Sequence, residues 1–398
     1  MKNGEILNYL KNVLDNIPEN WLTDTTHRLN LYDEKLAKTQ FLEQFEILSN
    51  NNNSDAASLN ELPTAYDYIR LGHPLSCILE WAIANLNNTK PENVISFASK
   101  TIPVLAILRK NLLDHKNTQI IYTNELPSSF DAEVLKNVYG YQFELKKVVK
   151  AESISAFNGS TIFISEQAEI GKINLNTNVD FYINLHAHIG SVLLVNGIQN
   201  ESYISEIQHV RRRESIAMTP ANCLTALKMI TDRTDIDLEE NTSDNLRETH
   251  KQQVLDSIKT VTGSSTKAAV GSSGLSVQYA IMMGLIDYAL GEYKGKTIKF
   301  IVPPNCYGGT NDQARRVAAC LGNVEIVDLP VDGDHDMVQS INTVLEKIAK
   351  EDAVPYIIAE IPTNPRVEVP DLLSLKAALS QERKTAAGET AIDPVFIL

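Results

Sequence analysis

The chain has 398 residues, 43% of them hydrophobic and 22% charged, which is the balance of a globular protein too long for one ordinary core. Its 36 basic and 50 acidic residues give a net charge of -14, which excludes nonspecific nucleic-acid binding because the phosphate backbone would repel the molecule as a whole. Cys77, Cys223, Cys306 and Cys320 show no CxxC spacing, no apolar run approaches the roughly 18 residues of a membrane span, and the amino-terminal segment lacks a signal-peptide core; a cytoplasmic protein with reduced thiols is expected.

Residues 1–48 read as amphipathic helices and 48–64, rich in Asn and Ser, as a linker or exposed loop. Strand-like and helix-like segments then alternate: strand 93–99, helix 102–115, strand 118–123, helix 129–140, and strands 141–148, 160–165 and 179–185. Residues 203–262 look mostly helical. The basic run His209–Ser215, "HVRRRES", reads as a solvated helix face, with a local patch for a small anion as the less favoured alternative.

From 266 the alternation resumes. A short strand and turn over 266–273 leads into a helix over 274–290, followed by strand 297–304, helix 310–322, strand 323–330, helix 337–351, strand 355–362 and helix 372–381. Residues 393–398, "DPVFIL", read as the start of a buried strand and hence as a chain cut inside a domain. This alternation predicts a layered α/β sheet. The expected division is a helical extension and linker over 1–63, an α/β domain over 64–202 and a second, incomplete α/β domain over 203–398.

Three motifs in the second half carry chemistry. "GSSGLS" (271–276) sets small residues between an extended segment and a helix, where free N–H groups and the helix dipole favour a phosphate. It is neither a GxGxxG fingerprint nor a Walker loop, and by itself is equally a tight turn. "PNCYGGT" (304–310) puts an aromatic ring beside two glycines at a strand's end, which suits a flat heterocycle or a plain glycine turn. "AEIPTNP" (359–365) ends another strand, with Asn364 offering an amide and Glu360 a carboxylate.

In this order and spacing, "SSGL", "YGGT" and "E-x-PTNP" closely resemble the Cys/Met-metabolism family of pyridoxal-phosphate (PLP) enzymes of fold type I, over about residues 250–380. That family includes cystathionine γ-synthase, cystathionine lyases, methionine γ-lyase and O-acylhomoserine sulfhydrylases. The resemblance implies that Ser273 and the backbone of Gly274 and Leu275 hold the cofactor phosphate, that Tyr307 stacks on the pyridine ring and that Asn364 faces the ring hydroxyl. Leu275 stands where the family usually has Met, a mild departure for a backbone contact.

A second, fainter resemblance lies upstream. "YIRLGHPLSCILE" (68–80) is similar to the family segment whose Tyr and Arg reach a neighbouring subunit's phosphate, here Tyr68 and Arg70, with His73 and Leu75 in place of Asn and Thr. "FASKTIPVLAIL" (97–108) then sits where the phosphate turn would, without its glycine. "VDFYINLHAHIGSVLLVNG" (179–197) loosely resembles the strands around the Schiff-base lysine, with His186 and His188 but no lysine. Those two histidines, two apart on a strand, share a face and would suit either a metal or ordinary packing. The first domain thus reads as an eroded copy of the second, or as an unrelated α/β domain.

Ser264-x-Thr266-Lys267 looks like the family's lysine motif but precedes the phosphate turn instead of following the Pro-Thr-Asn-Pro loop, so Lys267 is expected to be a decoy and the true lysine to lie beyond Leu398. The family implies a PLP-dependent lyase or transferase of transsulfuration, performing γ-replacement or β/γ-elimination on cysteine, cystathionine, methionine or O-acylhomoserine. Its partners would be an amino-acid substrate and further copies of the chain in a homodimer or homotetramer, with no nucleic acid and no membrane. The rival expectations are a non-catalytic protein that keeps the fold for binding or assembly and, less favoured, an α/β protein that uses the same turn for a nucleotide.

Overall fold

The computed structural model describes residues 3–23, 34–66, 68–149, 154–167, 169–232, 244–304, 306–331, 336–363, 367 and 369–398. The chain forms two compact units, one of residues 1–130 and 142–273, the other of 131–141 and 274–398. The layered α/β class expected from the sequence is the class observed. The helices over 202–230, which the sequence division placed in the second domain, belong to the first unit.

The first unit opens with helices α1 (Asn3–Asp15), α2 (Asn20–Thr23), α3 (Glu34–Asn50) and α4 (Ala56–Asn60). The segment 48–64 is therefore not all loop: Asp55 accepts from the Ser58 N–H at 2.9 Å and starts the short α4. Helix α5 (Pro74–Leu86) is apolar nearly all round, and every residue from Leu75 to Ala84 is buried. Its start is fixed by Pro74 at the first helical position and by a capping box between His73 and Ser76.

Next come β1 (Val94–Phe97), α6 (Ile102–Leu113), β2 (Thr118–Tyr122), β3 (Glu144–Lys147), β4 (Ser160–Glu166), β5 (Phe181–His186) and β6 (Gly190–Val195). They make a six-stranded sheet in the order β1-β6-β5-β4-β2-β3. Strands β3, β2, β4 and β5 run parallel, and β6 is antiparallel to both of its neighbours. The central strands read as continuous apolar runs because both faces are covered, whereas the polar edge strand β3 is exposed. One face packs with α1, α3 and α5 in a core that includes Phe41, Phe45, Trp81, Phe163 and Tyr182. Helices α8 (Ser202–Glu214), α9 (Pro220–Ile230) and α10 (Asp244–Thr262) follow the sheet.

The basic run 209–215 on α8 is not a solvated face. Arg211 is fully buried, and Glu214 is buried as a two-bond partner of Arg109, with Nη2 to Oε2 at 2.8 Å. Helix α8 packs against α6, so the charges on that side could only enter the interior in pairs.

The second unit contains α7 (Ala132–Asn137), α11 (Gly274–Glu292), β7 (Ile298–Val302), α12 (Gly308–Ala318), β8 (Val324–Asp328), α13 (Met337–Lys350), β9 (Val354–Ile358), α14 (Leu372–Leu379) and β10 (Val395–Ile397). Its four strands are all parallel, in the order β10-β9-β7-β8. Residues 395–397 do form a strand, at the sheet's edge and only partly buried. Helix α13 shows the expected stripe, with Met337, Ile341, Leu345 and Ile348 buried and Asp336 capping its start.

The strand expected over 266–273 does not form. No sheet neighbour satisfies its backbone, and Lys267, Ala269 and Val270 are exposed. Among the described residues, no helix is long and apolar enough to cross a membrane.

Candidate functional site

In the second unit the chain leaves β7 toward β8 and leaves β9 toward β10, on opposite sides. The neighbouring carboxyl ends of β7 and β9 therefore flank a topological switch point, the place where open α/β sheets leave a crevice for ligands. Tyr307 lies between β7 and α12 as the N-cap of that helix, and Glu360 follows β9 by two residues. Helix α11, which opens at Gly274, is tied to the same edge.

Three hydrogen bonds join these segments. The fully buried Gln313 amide donates from Nε2 to the Leu275 carbonyl at 2.9 Å, holding the first turn of α11 against α12. Gln278 Nε2 donates to the Thr310 carbonyl at 3.2 Å. Thr310 Oγ1 donates to Glu360 Oε1 at 3.0 Å, linking the "YGGT" turn to the "AEIPTNP" loop. All three motifs singled out in the sequence thus meet through side chains of α11 and α12.

The arrangement leaves room for a ligand. A Cβ added at Gly274 or at Gly308 would meet nothing within 4 Å. The first N–H groups of α11 precede any intrahelical acceptor and sit at the positive end of a 19-residue helix. Tyr307 is half-buried, and Thr310 is buried beside the Glu360 carboxylate. Burial, and then Glu360, push the neighbouring Cys306 thiol up to about 11, so it stays protonated at neutral pH. An anion at the helix start and a flat ring beside Tyr307 both fit this donor set. Ser273 is half-buried immediately before Gly274, and Asn364 lies outside the described residues.

Tyr68 and Arg70 lie in the first unit. The Tyr68 ring has the Arg70 guanidinium 4.5 Å from its centroid and that of Arg212 5.2 Å away, so two cations flank one aromatic face system. Arg70 is buried, and its carbonyl accepts from the Ala217 N–H at 2.8 Å. Glu80, matched in the same segment, is a structural hub: it accepts from Lys38 at 2.6 Å, Arg211 at 2.7 Å, and the Ser96 N–H and hydroxyl at 2.8 and 2.9 Å. Burial pushes its carboxyl up, but Lys38 and Arg211 outweigh this and pull it down to about 2.

His73 and His186 are packing residues. His73 accepts from the Ser76 N–H at Nδ1 and meets the Met218 carbonyl at Nε2, 2.7 Å away. His186 Nδ1 meets the Gln167 carbonyl at 3.1 Å, while His188 is exposed in the β5–β6 turn with φ 67°. Among the described residues, no group of three His, Cys, Asp or Glu side chains could hold a metal. Lys267 is exposed in the irregular segment before α11.

Sequence reasoning missed Gln313 and Gln278. The signal for Gln313 was available: Thr310, Gln313, Ala314 and Val317 share the buried stripe of α12, and a polar residue on such a stripe needs a partner.

No family model and no curated protein matches the sequence. Solved structures do match at low similarity. The structure of metB from Corynebacterium glutamicum matches with a TM-score of 0.34 and 11% identity over 56% of this chain and 64% of that one. Cystathionine gamma-lyase from yeast gives 0.35 and 11% over 56% and 63%. Cystathionine gamma synthase from Xanthomonas oryzae pv. oryzae, in complex with aminoacrylate and cysteine, gives 0.29 and 12% over 49% and 59%. The chain spans less than two thirds of the length of each of these three structures.

Proposed function

We propose that the second unit is the cofactor-cradling part of a PLP-dependent enzyme of sulfur amino-acid metabolism, a lyase or transferase acting by γ-replacement or β/γ-elimination on cysteine, cystathionine, methionine or O-acylhomoserine. The observation that carries this reading is the meeting of "SSGL", "YGGT" and "E-x-PTNP" at one switch point through Gln313, Gln278 and Thr310. Ser273 and the Gly274 and Leu275 N–H groups hold the phosphate, Tyr307 covers one face of the ring and Asn364 faces the ring hydroxyl. Gln313 holds the carbonyl of Leu275 and so fixes the pitch of the first turn that presents those donors. Glu360 and Thr310 keep the two strand-end loops in register. When bound, PLP supplies the electron sink that stabilises negative charge at the substrate α-carbon. Tyr68 and Arg70 serve the same phosphate from a second copy of the chain, in a homodimer or homotetramer.

Lys267 takes no part in this reading, because it stands in an exposed, irregular segment before the phosphate turn. That placement also supports a second reading, a non-catalytic protein that keeps the cradle for binding or assembly. Titration with PLP, followed by borohydride reduction and peptide mapping, tests both. Saturable binding that Tyr307→Ala weakens, with no stoichiometric label on Lys267, is the expected result. Absence of saturable binding overturns the cradle, and stoichiometric labelling of Lys267 overturns its exclusion.

A further inference from the structure

A cavity of about 630 Å³ opens in the first unit between α3, residues 90–93 and the start of α8. Its walls carry three different chemistries. Leu71 and Tyr66, both buried, and the half-buried Ile204 make an apolar side. The Tyr66 hydroxyl is already engaged by Arg211 Nη2 at 3.1 Å, so Tyr66 offers the cavity its ring.

The second wall is the amino-terminal end of α8. Ser202 is the first residue of that helix, Ser205 follows one turn on, and both are exposed. No side chain caps this start, because the Glu201 carboxylate at the N-cap position turns to Lys90 at 2.8 Å. The N–H groups of Ser202 and Tyr203 precede any intrahelical acceptor, so this end favours negative charge.

The third wall accepts. Asn93 is 4% exposed, its Nδ2 donates to the Val195 carbonyl of β6 at 2.8 Å, and its Oδ1 has no hydrogen-bond partner among the described residues. A buried acceptor in that condition calls for a donor. Glu92, next to it in sequence, adds an exposed carboxylate to the lining. Lys38 does not neutralise this side, because its ammonium donates to Glu80 at 2.6 Å and to the carbonyls of Pro91 and Val94 at 2.8 and 3.3 Å.

A simple anion in this cavity would face Glu92 and Glu201, and a simple cation would face Lys90 and the positive end of the α8 dipole. A zwitterion meets both signs favourably. We infer that the cavity binds a free α-amino acid with an apolar side chain. Its carboxylate lies at the start of α8, its ammonium toward Asn93 Oδ1 and Glu92, and its side chain against Leu71, Ile204 and the Tyr66 ring. The inference does not rest on the function proposed above, because the residues that carry it all belong to the first unit.

Isothermal titration of the full chain with L-leucine tests it, beside two analogues that each lack one charge: 4-methylpentanoate without the ammonium and L-leucinamide without the carboxylate. Saturable binding of one L-leucine per chain is expected, with each analogue at least about tenfold weaker, the loss of one charge-assisted hydrogen bond. Ile204→Trp fills the apolar side and should abolish binding. Ser202→Pro removes one N–H at a helix position that tolerates proline, and should weaken L-leucine about tenfold with the thermal transition kept. The proline variant decides the matter if the tryptophan variant does not fold. No saturable binding up to about 10 mM overturns the inference. An analogue as tight as L-leucine also overturns it, by reducing the site to one for an anion or a cation alone, and so does binding that survives both variants. A chain that binds L-leucine in this way but no PLP sinks the proposed function alone.

Discussion

Glu80 and Arg211, 131 residues apart in sequence, form a fully buried ion pair at 2.7 Å that also holds Ser96 of β1 and Tyr66. Lys38 completes it from α3, donating to Glu80 and to the carbonyls of Pro91 and Val94. One anion thus balances two cations in a buried setting, and removing the anion is the costly change. Glu80→Gln keeps an acceptor for Ser96 but strands both cations, and should destabilise the first unit by about 3–5 kcal/mol in urea unfolding. A loss below about 1 kcal/mol would show that the carboxylate charge is not what holds α3, α5 and α8 together.

Stability should fall in mild acid. Burial lowers the His73 and His186 rings to about 4, against the carbonyl contacts that favour the charged form. An unfolded histidine takes up its proton near 6.5, so between these values the unfolded chain binds more protons. The contribution is complete above about pH 6.5 and is lost as pH drops toward 4, on the order of 3 kcal/mol per ring. His73→Asn, which can still accept from Ser76, should flatten this slope when unfolding is followed at pH 7 and pH 5. An unchanged slope would assign the acid sensitivity to other groups. Glu80 does not contribute in this window, because its stabilisation is lost only below the ordinary carboxyl range, as pH falls through about 2.

Gly190 is required where β5 turns into β6. Its φ is 127°, and a Cβ there would lie 2.1 Å from the Phe97 carbonyl oxygen on β1. Gly190→Ala should cost at least about 2 kcal/mol, from strain together with the clash. Gly295 is the control: its φ is 80° but nothing lies within 4 Å, so Gly295→Ala should cost about 1 kcal/mol from backbone strain alone. Equal effects in thermal unfolding would mean that β1 gives way.

Gln313→Leu keeps the volume of the side chain and removes the bond to the Leu275 carbonyl. It should weaken pyridoxine 5′-phosphate binding about tenfold, the equivalent of one net hydrogen bond of roughly 1.4 kcal/mol. Thermal unfolding of the variant separates loss of the cradle from loss of the fold. Unaltered affinity would show that the helix start needs no such tether.

Much of this architecture was legible in the sequence because the controlling interactions are local. Pro74 after His73, Asp336 before Met337 and the apolar runs of β4 and β5 mark their elements without help from elsewhere. Order and spacing of three motifs sufficed to place a candidate site at the ends of β7 and β9. The failures share a cause in distance along the chain. Whether "RRRE" faces water depends on Glu80 and Arg109, more than a hundred residues upstream, and periodicity carries no information about them. The extended-looking residues 266–273 fail as a strand for the same reason, since a strand exists only where another offers its backbone. Gln313 lay between these extremes, visible as a misplaced polar residue but not as a partner of Leu275.

Residues 131–141 belong to the second unit, where Tyr139 packs edge-on against Tyr279 at 6.1 Å, yet they are enclosed in sequence by segments of the first. On a ribosome adding roughly 5–20 residues per second, this segment emerges on the order of ten seconds before Gly274. The first unit can collapse around it in that interval, while the segment waits without the helix α11 that Tyr139 will meet. Synthesis therefore imposes an order on assembly that the finished contacts do not. A slowed stretch of translation after residue 141 would lengthen the time for which α7 is available to the wrong neighbour.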